Sequence, residues 1–199
     1  MSILHRYKRY YIDLNDKNTL YKLLKLYPNE EWGMISDMSL NRNITIKYVE
    51  DNLDKDWDWD HISWNPDLTM QFIKDNPDKN WDCDYISYNS NITMKDIKDN
   101  PDLSWNYNGI SQNPNLTMQF IKDNPDKNWD WDYISCNPNI TLKDIKNNSD
   151  LPWDWHCVSQ NPNITMKDVK NNLNKNWDWY YVSQNPNITM KDVKNNLNK

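Results

Sequence analysis

Acidic side chains that could do chemistry recur along this sequence in steps of 24 residues, each directly after a tryptophan. The column consists of Asp58, Asp82, Asp130, Asp154 and Asp178, with Asn106 in the third position. A row of carboxylates could receive a basic peptide or a divalent cation. We favour the simpler interpretation that these are solvated acids in the first turns of helices, where the helix dipole favours negative charge.

Residue types used in catalysis are scattered. His61 and Cys157 occupy the same repeat column as Tyr85, Tyr133 and Tyr181, so we interpret this column as a tolerant, partly exposed position. His156 would point away from Cys157 on a short helix, and no third metal ligand is evident. Glycine occurs only as Gly33 and Gly109, which leaves no phosphate-binding loop. We therefore predict that the protein is not an enzyme and uses no metal and no cofactor.

The elements that position these residues belong to a tandem repeat. Its clearest mark is an ungapped serine column in steps of 24 residues: Ser39, Ser63, Ser87, Ser111, Ser135, Ser159 and Ser183. A period held without insertions is typical of solenoids, in which each repeat buries its apolar face only against its neighbours. We predict a single continuous domain over residues 37–199.

Residues 1–36 are predicted to form a divergent N-terminal capping unit. Within them, Leu20, Leu23, Leu24 and Tyr27 have the spacing of the apolar face of an amphipathic helix. A terminal repeat departs from the consensus because one of its faces meets water instead of a neighbouring repeat.

The first half of each repeat is predicted to start a helix at a threonine. Thr93 suits the N-cap position because its hydroxyl can accept an unpaired N–H of the first turn. Asp96 follows as in a capping box, and Ile92 and Ile97 are spaced as a hydrophobic staple. The sequence Asp-Asn-Pro, or Asn-Asn in other repeats, should end this helix within about two turns.

The second half of each repeat contains two aromatic columns. The first is Trp57, Trp81, Trp105, Trp129, Trp153 and Trp177, and the second is Trp59, Cys83, Tyr107, Trp131, Trp155 and Trp179. Their alternation also fits a half-buried strand, which would make the repeat a strand and a helix as in leucine-rich repeats. We prefer a helix, because Pro152 would lie in the first turn after Asp150, where proline is tolerated. Trp131 and Ile134 also form an i, i+3 pair.

The 12 tryptophans and 12 tyrosines decide whether this chain can fold. Only 37% of the residues are hydrophobic and the mean hydropathy is −1.06, close to the values of disordered chains. The tryptophan columns could form a ladder in the core, or exposed platforms that stack on sugars or single-stranded nucleic acid. We predict a core ladder, because the chain has few other large apolar residues.

The net charge of the chain helps to predict the class of its partner. The chain has 29 acidic and 23 basic side chains, a net charge of −6, and lysines that are spread through the repeats. A nucleic-acid partner is therefore disfavoured, because sequence-independent affinity for phosphates comes from clustered cations. No apolar run suits a signal peptide or a membrane span, and three cysteines without a CxxC pair favour a reducing compartment. We predict an intracellular protein that does not insert into a membrane.

The repeat resembles a known family. About residues 37–199 carry the pattern NPN[I/L]TxxxIKxNPDxxW, which is similar to the leucine-rich repeat variant family with its 24-residue unit and Asn-Pro corner. The resemblance implies alternating α- and 3₁₀-helices in a right-handed superhelix. This chain has tryptophans where that family has smaller aliphatic residues in the second half. It lacks the separate Cys-rich segment that carries an iron–sulfur cluster in some members, so no cluster is inferred.

The wording NPNITMKDVKNN also resembles the tandem-repeat proteins of large DNA viruses of amoebae. If the protein is viral, this resemblance implies a location in the host cytoplasm or the virion. The sequence stops after a first half-repeat, which leaves Ile188, Met190 and Val193 without a following repeat. We expect this end to support self-association or to fray.

Two variable columns beside the Asn-Pro corner are the candidates for partner binding. One holds Trp64, Tyr88, Gln112, Gln160 and Gln184, and the other holds His61, Tyr85, Tyr133 and Tyr181. Exposed aromatic residues at otherwise polar columns can anchor a partner, although local repacking explains them equally well. We predict an all-α superhelical solenoid that serves as a scaffold for a protein or peptide partner or for structural assembly. A nucleic-acid-binding helical repeat protein is the alternative.

Overall fold

The structure, a computed structural model, describes residues 17–26 and 38–194. In this part of the chain every regular element is a helix and no strand occurs, with two helices to each complete repeat. The predicted all-α repeat solenoid is therefore confirmed. The chain divides into two compact units, unit 1 over residues 1–91 and unit 2 over residues 92–199. The predicted limit of the capping unit lies outside the described residues, and a single domain over residues 37–199 stays a prediction.

The described residues contain fourteen helices. Unit 1 contains α1 (Lys17–Leu26), α2 (Ile46–Glu50), α3 (Trp59–Ser63), α4 (Met70–Asp75) and α5 (Cys83–Tyr88). Unit 2 contains α6 (Met94–Asp99), α7 (Tyr107–Gln112), α8 (Met118–Asp123), α9 (Trp131–Cys136), α10 (Leu142–Asn147), α11 (Trp155–Gln160), α12 (Met166–Lys170), α13 (Trp179–Gln184) and α14 (Met190–Lys194). Leu23 and Leu24 are buried on α1, in agreement with its predicted apolar face, whereas Tyr27 lies outside the described residues.

Two classes of helix alternate after α1. The even-numbered helices follow a threonine and are named Thr-capped helices, and the odd-numbered ones follow Asp or Asn and are named Asx-capped helices. At the start of α6, Thr93 accepts the N–H of Asp96, and Asp96 accepts the N–H of Thr93 over 2.9 Å. At its end, Asn100 Nδ2 donates to the Asp96 carbonyl over 2.6 Å. These side chains form the predicted capping box and limit the helix to six residues.

The Asx-capped helices begin later than the sequence predicts. Asp130 has an extended backbone (φ −93°, ψ 103°) and caps α9, which starts at Trp131. One repeat later the N-cap is Asp154, and Pro152 lies in the loop before α11. The predicted helix start after Asp150 is therefore wrong. The carboxylate sets the start because it accepts the first unpaired N–H groups of the helix. Trp131 and Ile134 do share α9, which confirms a helix instead of a strand.

Isoleucine, valine and leucine form most of the core. They occupy three buried columns: Ile44, Leu68, Ile92, Leu116, Ile140 and Ile164; Val49, Ile73, Ile97, Ile121, Ile145 and Val169; and Ile62, Ile86, Ile110, Ile134, Val158 and Val182.

The tryptophans only partly follow the prediction of a core ladder. In the first column Trp57 and Trp177 are buried and the others are partly exposed, whereas Trp179 of the second column is 56% exposed. The Trp129 indole donates from Nε1 to the Asn124 carbonyl over 2.8 Å, and the other first-column indoles make the same bond. Because the indole N–H needs an acceptor, this column packs where a Thr-capped helix ends. In the second column Trp59, Trp131 and Trp155 are partly buried, and each packs edge-on against the first-column tryptophan of the next repeat. The prediction is therefore met only in part in both columns.

Side-chain amides at the Asn-Pro corner join neighbouring repeats. The buried Asn161 donates from Nδ2 to the carbonyls of Ser135, Asn137 and Ile140 over 3.0–3.1 Å. Its Oδ1 accepts the N–H of Asn163 over 2.8 Å, which is the local bond expected of Asn in a tight turn. One side chain thus shapes its own corner and pairs carbonyls of the preceding repeat that have little access to water.

The serine column connects successive Asx-capped helices. Ser159 Oγ donates to the Trp155 carbonyl over 2.7 Å and accepts the N–H of Asp178, in the next repeat, over 2.9 Å. Neighbouring Asx-capped helices pack side by side: α3 on α5 in unit 1, and α7, α9, α11 and α13 in sequence in unit 2. Because of this packing, the Asx-capped helices have the same outward-facing side in each repeat.

Candidate interaction surface

The predicted partner-binding residues lie on the Asx-capped helices or directly after one of them. Their two columns are three residues apart, so both belong to the same face of each helix. Trp64 and Tyr85 are each 37% exposed, and Tyr133 is 43% exposed. The exposed members also include Gln112, Gln160 and Gln184, and the half-buried members are His61, Tyr88 and Tyr181. All nine residues therefore reach the surface.

In unit 1 the structure brings three of these residues together. The ring centres of Trp64 and Tyr85 are 6.2 Å apart, and those of Tyr85 and Tyr88 are 6.0 Å apart with the rings nearly perpendicular. Arg42 Cζ lies 4.3 Å from the centre of the Trp64 ring, within the range of a cation–π interaction. We name Arg42, Trp64, Tyr85 and Tyr88 the aromatic cluster.

Sequence reasoning did not find Arg42. Its signal is its place in the repeat: it follows Asn41 where later repeats have the proline of the Asn-Pro corner, such as Pro66. An arginine at this corner is free to extend over the indole of the following repeat, which proline could not do. The departure from the repeat consensus therefore coincides with the aromatic cluster.

His61 belongs to the same surface but makes a different contact. Its Nδ1 lies 2.9 Å from Oδ2 of Asp58, the N-cap residue of α3, although the geometry does not form a hydrogen bond. Burial alone would raise the pKa of Asp58, but the backbone N–H and the ring of His61 outweigh it and lower that pKa. We therefore interpret the contact as an electrostatic one that helps to keep Asp58 ionised.

Unit 2 has a different surface at the same columns. Gln112, Cys136, Gln160 and Gln184 occupy the column of Trp64 and Tyr88. His156, one residue before the column of His61, contacts the next repeat: its Nδ1 is 2.7 Å from Asp178 Oδ2, and its ring centre is 4.1 Å from that of Tyr181. Sequence reasoning did not find this contact, because 22 residues separate His156 from Asp178 and no local pattern connects them.

The acidic column forms helix caps. Asp82 accepts the N–H groups of Asp84 and Tyr85, and Asn106 makes the equivalent contacts at the start of α7. These residues precede the first turn instead of lying in it, which refines the prediction of solvated first-turn acids. Because each cap already accepts backbone N–H groups, the column is explained by helix formation. Among residues 17–26 and 38–194, no group of three His, Cys, Asp or Glu side chains is arranged to hold a metal ion.

The cysteines of unit 2 are poorly suited to nucleophilic chemistry. Burial raises the pKa of Cys136, and burial together with the charge of Asp154 raises the pKa of Cys157 to about 12. A thiol with such a pKa is protonated at neutral pH, whereas the thiolate is the reactive form.

Comparisons with protein-family models, with curated proteins and with solved structures found no match. The relationships to the leucine-rich repeat variant family and to repeat proteins of amoebal viruses therefore stay predictions. So does the predicted location in the cell or the virion. Within the described segments, no helix has both the length and the apolar character needed to cross a bilayer.

Proposed function

We propose that this protein is a non-enzymatic repeat scaffold that holds a protein or peptide partner through the aromatic cluster. One observation carries the proposal: Trp64, Tyr85 and Tyr88 lie together at the surface, and Trp64 and Tyr88 occupy a column in which unit 2 carries glutamine or cysteine. Tryptophan, tyrosine and arginine are the residue types that contribute most often to binding energy at protein interfaces.

The cluster is ordered before any partner arrives. Arg42 covers one face of Trp64, and Tyr85 contacts both Trp64 and Tyr88. Rings held by such contacts lose less conformational entropy on binding than freely rotating side chains. This arrangement supports binding through a fixed surface.

Charge favours a protein over a nucleic acid as the partner. The exposed Asp60 and Asp84 lie on α3 and α5, the two helices that carry the cluster, and the chain as a whole has a net charge of −6. Carboxylates at this surface would repel phosphates, so aromatic stacking would lack the cationic groove that accompanies it in single-strand binders.

The test replaces Trp64 and Tyr88 by glutamine, which is the residue of the same column at Gln112, Gln160 and Gln184. Purified wild type, the W64Q/Y88Q variant and a Gln160→Ser control are immobilised, and proteins retained from a cell extract, with and without nuclease treatment, are identified by mass spectrometry. Wild type and the control should retain a common protein that W64Q/Y88Q loses. The proposal is overturned if all three retain the same proteins, if wild type retains none, or if nuclease abolishes retention.

A further inference from the structure

Unit 2 contains two grooves of similar construction, 48 residues apart in the sequence. The first has a volume of about 590 Å³ and is lined by Ile97, Leu103, Trp105 and Tyr107 among other residues. The second has a volume of about 250 Å³ and is lined by the corresponding residues Ile145, Leu151, Trp153 and Trp155. Each groove is therefore formed by a Thr-capped helix and the tryptophan-containing residues that follow it, and is completed by residues of the next repeat.

A leucine in each groove departs from the repeat consensus. Leu103 and Leu151 occupy a column in which the other members are lysines: Lys55, Lys79, Lys127, Lys175 and Lys199. The two leucines join the aromatic rings to form an apolar surface, and both are only partly buried. The sequence signal for the grooves is thus an apolar residue in a lysine column.

Two lysines line each groove beside this apolar surface. They are Lys98 and Lys127 in the first groove, and Lys146 and Lys175 in the second. Lys127 Nζ lies 4.9 Å from the ring centre of Tyr107, and Lys175 Nζ lies 5.3 Å from that of Trp155. In residues 17–26 and 38–194, none of the four forms an ion pair with a carboxylate.

The second groove has no acidic side chain in its lining, and the first has only Asp123. Asp123 already accepts a hydrogen bond from Gln119 Nε2 over 2.7 Å. The local charge in both grooves is therefore positive, opposite in sign to the charge of the whole chain, and a negatively charged occupant is favoured.

We propose that each groove binds an apolar side chain of an acidic peptide segment. The leucine and the aromatic rings would cover the apolar side chain, and the two lysines would pair with carboxylates that flank it. The site lies in unit 2 and shares no residue with the aromatic cluster, so it does not depend on the function proposed for unit 1.

The experiment measures binding of two fluorescein-labelled peptides to the full chain by fluorescence anisotropy. One peptide alternates glutamate and leucine, and the matched peptide has serine in place of leucine. Wild type should bind the glutamate–leucine peptide at least about tenfold more tightly than the glutamate–serine peptide, because only the former can fill an apolar groove. Binding should weaken as salt increases.

The decisive variant is L103K/L151K, which restores the lysine that other repeats carry in this column. It adds two positive charges, so non-specific attraction for an acidic peptide would become stronger. Loss of the apolar surface should instead weaken binding of the glutamate–leucine peptide at least about tenfold. The charge-reversal variant K98E/K146E should also bind weakly, and W64Q/Y88Q should bind as wild type does.

Four binding results would overturn the proposal: no binding by wild type, equal binding of both peptides, unchanged or tighter binding by L103K/L151K, or wild-type affinity in K98E/K146E. A fifth result, self-association that disappears in L103K/L151K, would overturn it because a second copy would then be the occupant. If W64Q/Y88Q retains the same proteins as wild type in the capture experiment, the proposal for the aromatic cluster is overturned but the groove result is unaffected. The two proposals are therefore tested separately.

Discussion

The two units have the same repeat architecture but different outer surfaces. At one column unit 1 carries Trp64 and Tyr88, whereas unit 2 carries Gln112, Cys136, Gln160 and Gln184, and each position lies at the end of an Asx-capped helix. The buried residues beside them barely change, since Ser and Asn surround this column in every repeat. The comparison shows that the outer face of a repeat can vary while the contacts between repeats stay the same.

Substitution of a buried residue that joins two repeats should lower the free energy of unfolding most. Asn161→Ala removes the two Nδ2–H donors that the carbonyls of Ser135, Asn137 and Ile140 share, and Ile140 keeps a bond from Asn163 Nδ2. We expect the free energy of unfolding to fall by about 3 kcal/mol, measured by urea unfolding with circular dichroism. The neighbouring exposed Gln160→Ala should change it by less than about 0.5 kcal/mol. Equal losses in the two variants would contradict the division between interior and surface.

A smaller effect is expected at a helix cap and depends on pH. Burial alone would raise the pKa of Asp178, but the N–H groups of Tyr181 and Tyr180 and the His156 ring outweigh it and lower that pKa. A carboxylate with a lowered pKa stabilises the fold above its unfolded pKa, and this contribution is lost as the pH falls through the folded pKa.

Asp178→Asn is the matched variant, because Asn106 caps α7 in the same column. We expect this variant to unfold at a lower urea concentration than wild type at pH 7, and the two midpoints to converge as the pH falls below about 4. A difference that stays constant between pH 7 and pH 3 would show that ionisation of Asp178 does not contribute.

The smallest effect on stability is expected at the aromatic cluster. W64Q/Y88Q removes the contact with Arg42 but leaves the buried columns intact. Its free energy of unfolding should fall by less than about 1 kcal/mol, while partner capture is lost. If the variant unfolds at a much lower urea concentration than wild type, the cluster serves local packing instead of recognition. That outcome would remove the functional difference between the units.

Much of the fold could be predicted because its signals are local. The Thr93–Asp96 capping box and the Asn that ends each Thr-capped helix involve residues three or four positions apart. The start of the Asx-capped helices was harder to predict, since Asp130 and Asp150 both suit an N-cap and only one column is used. Within the candidate site the exposed columns were found, but Arg42 and the grooves beside Leu103 and Leu151 were not.

The sequence by itself determined the 24-residue period, the Thr-capped helices and the variable columns, because repetition, caps and side-chain spacing are written within a few residues. Only the tertiary structure decided that the second half of each repeat is a helix, that aliphatic columns form most of the core while most tryptophans stay partly exposed, and that Trp64 meets Tyr85. It also decided that Asn161 pairs carbonyls 21, 24 and 26 residues earlier. Such contacts depend on how each repeat is placed on the one before it, and no short stretch of sequence specifies that placement.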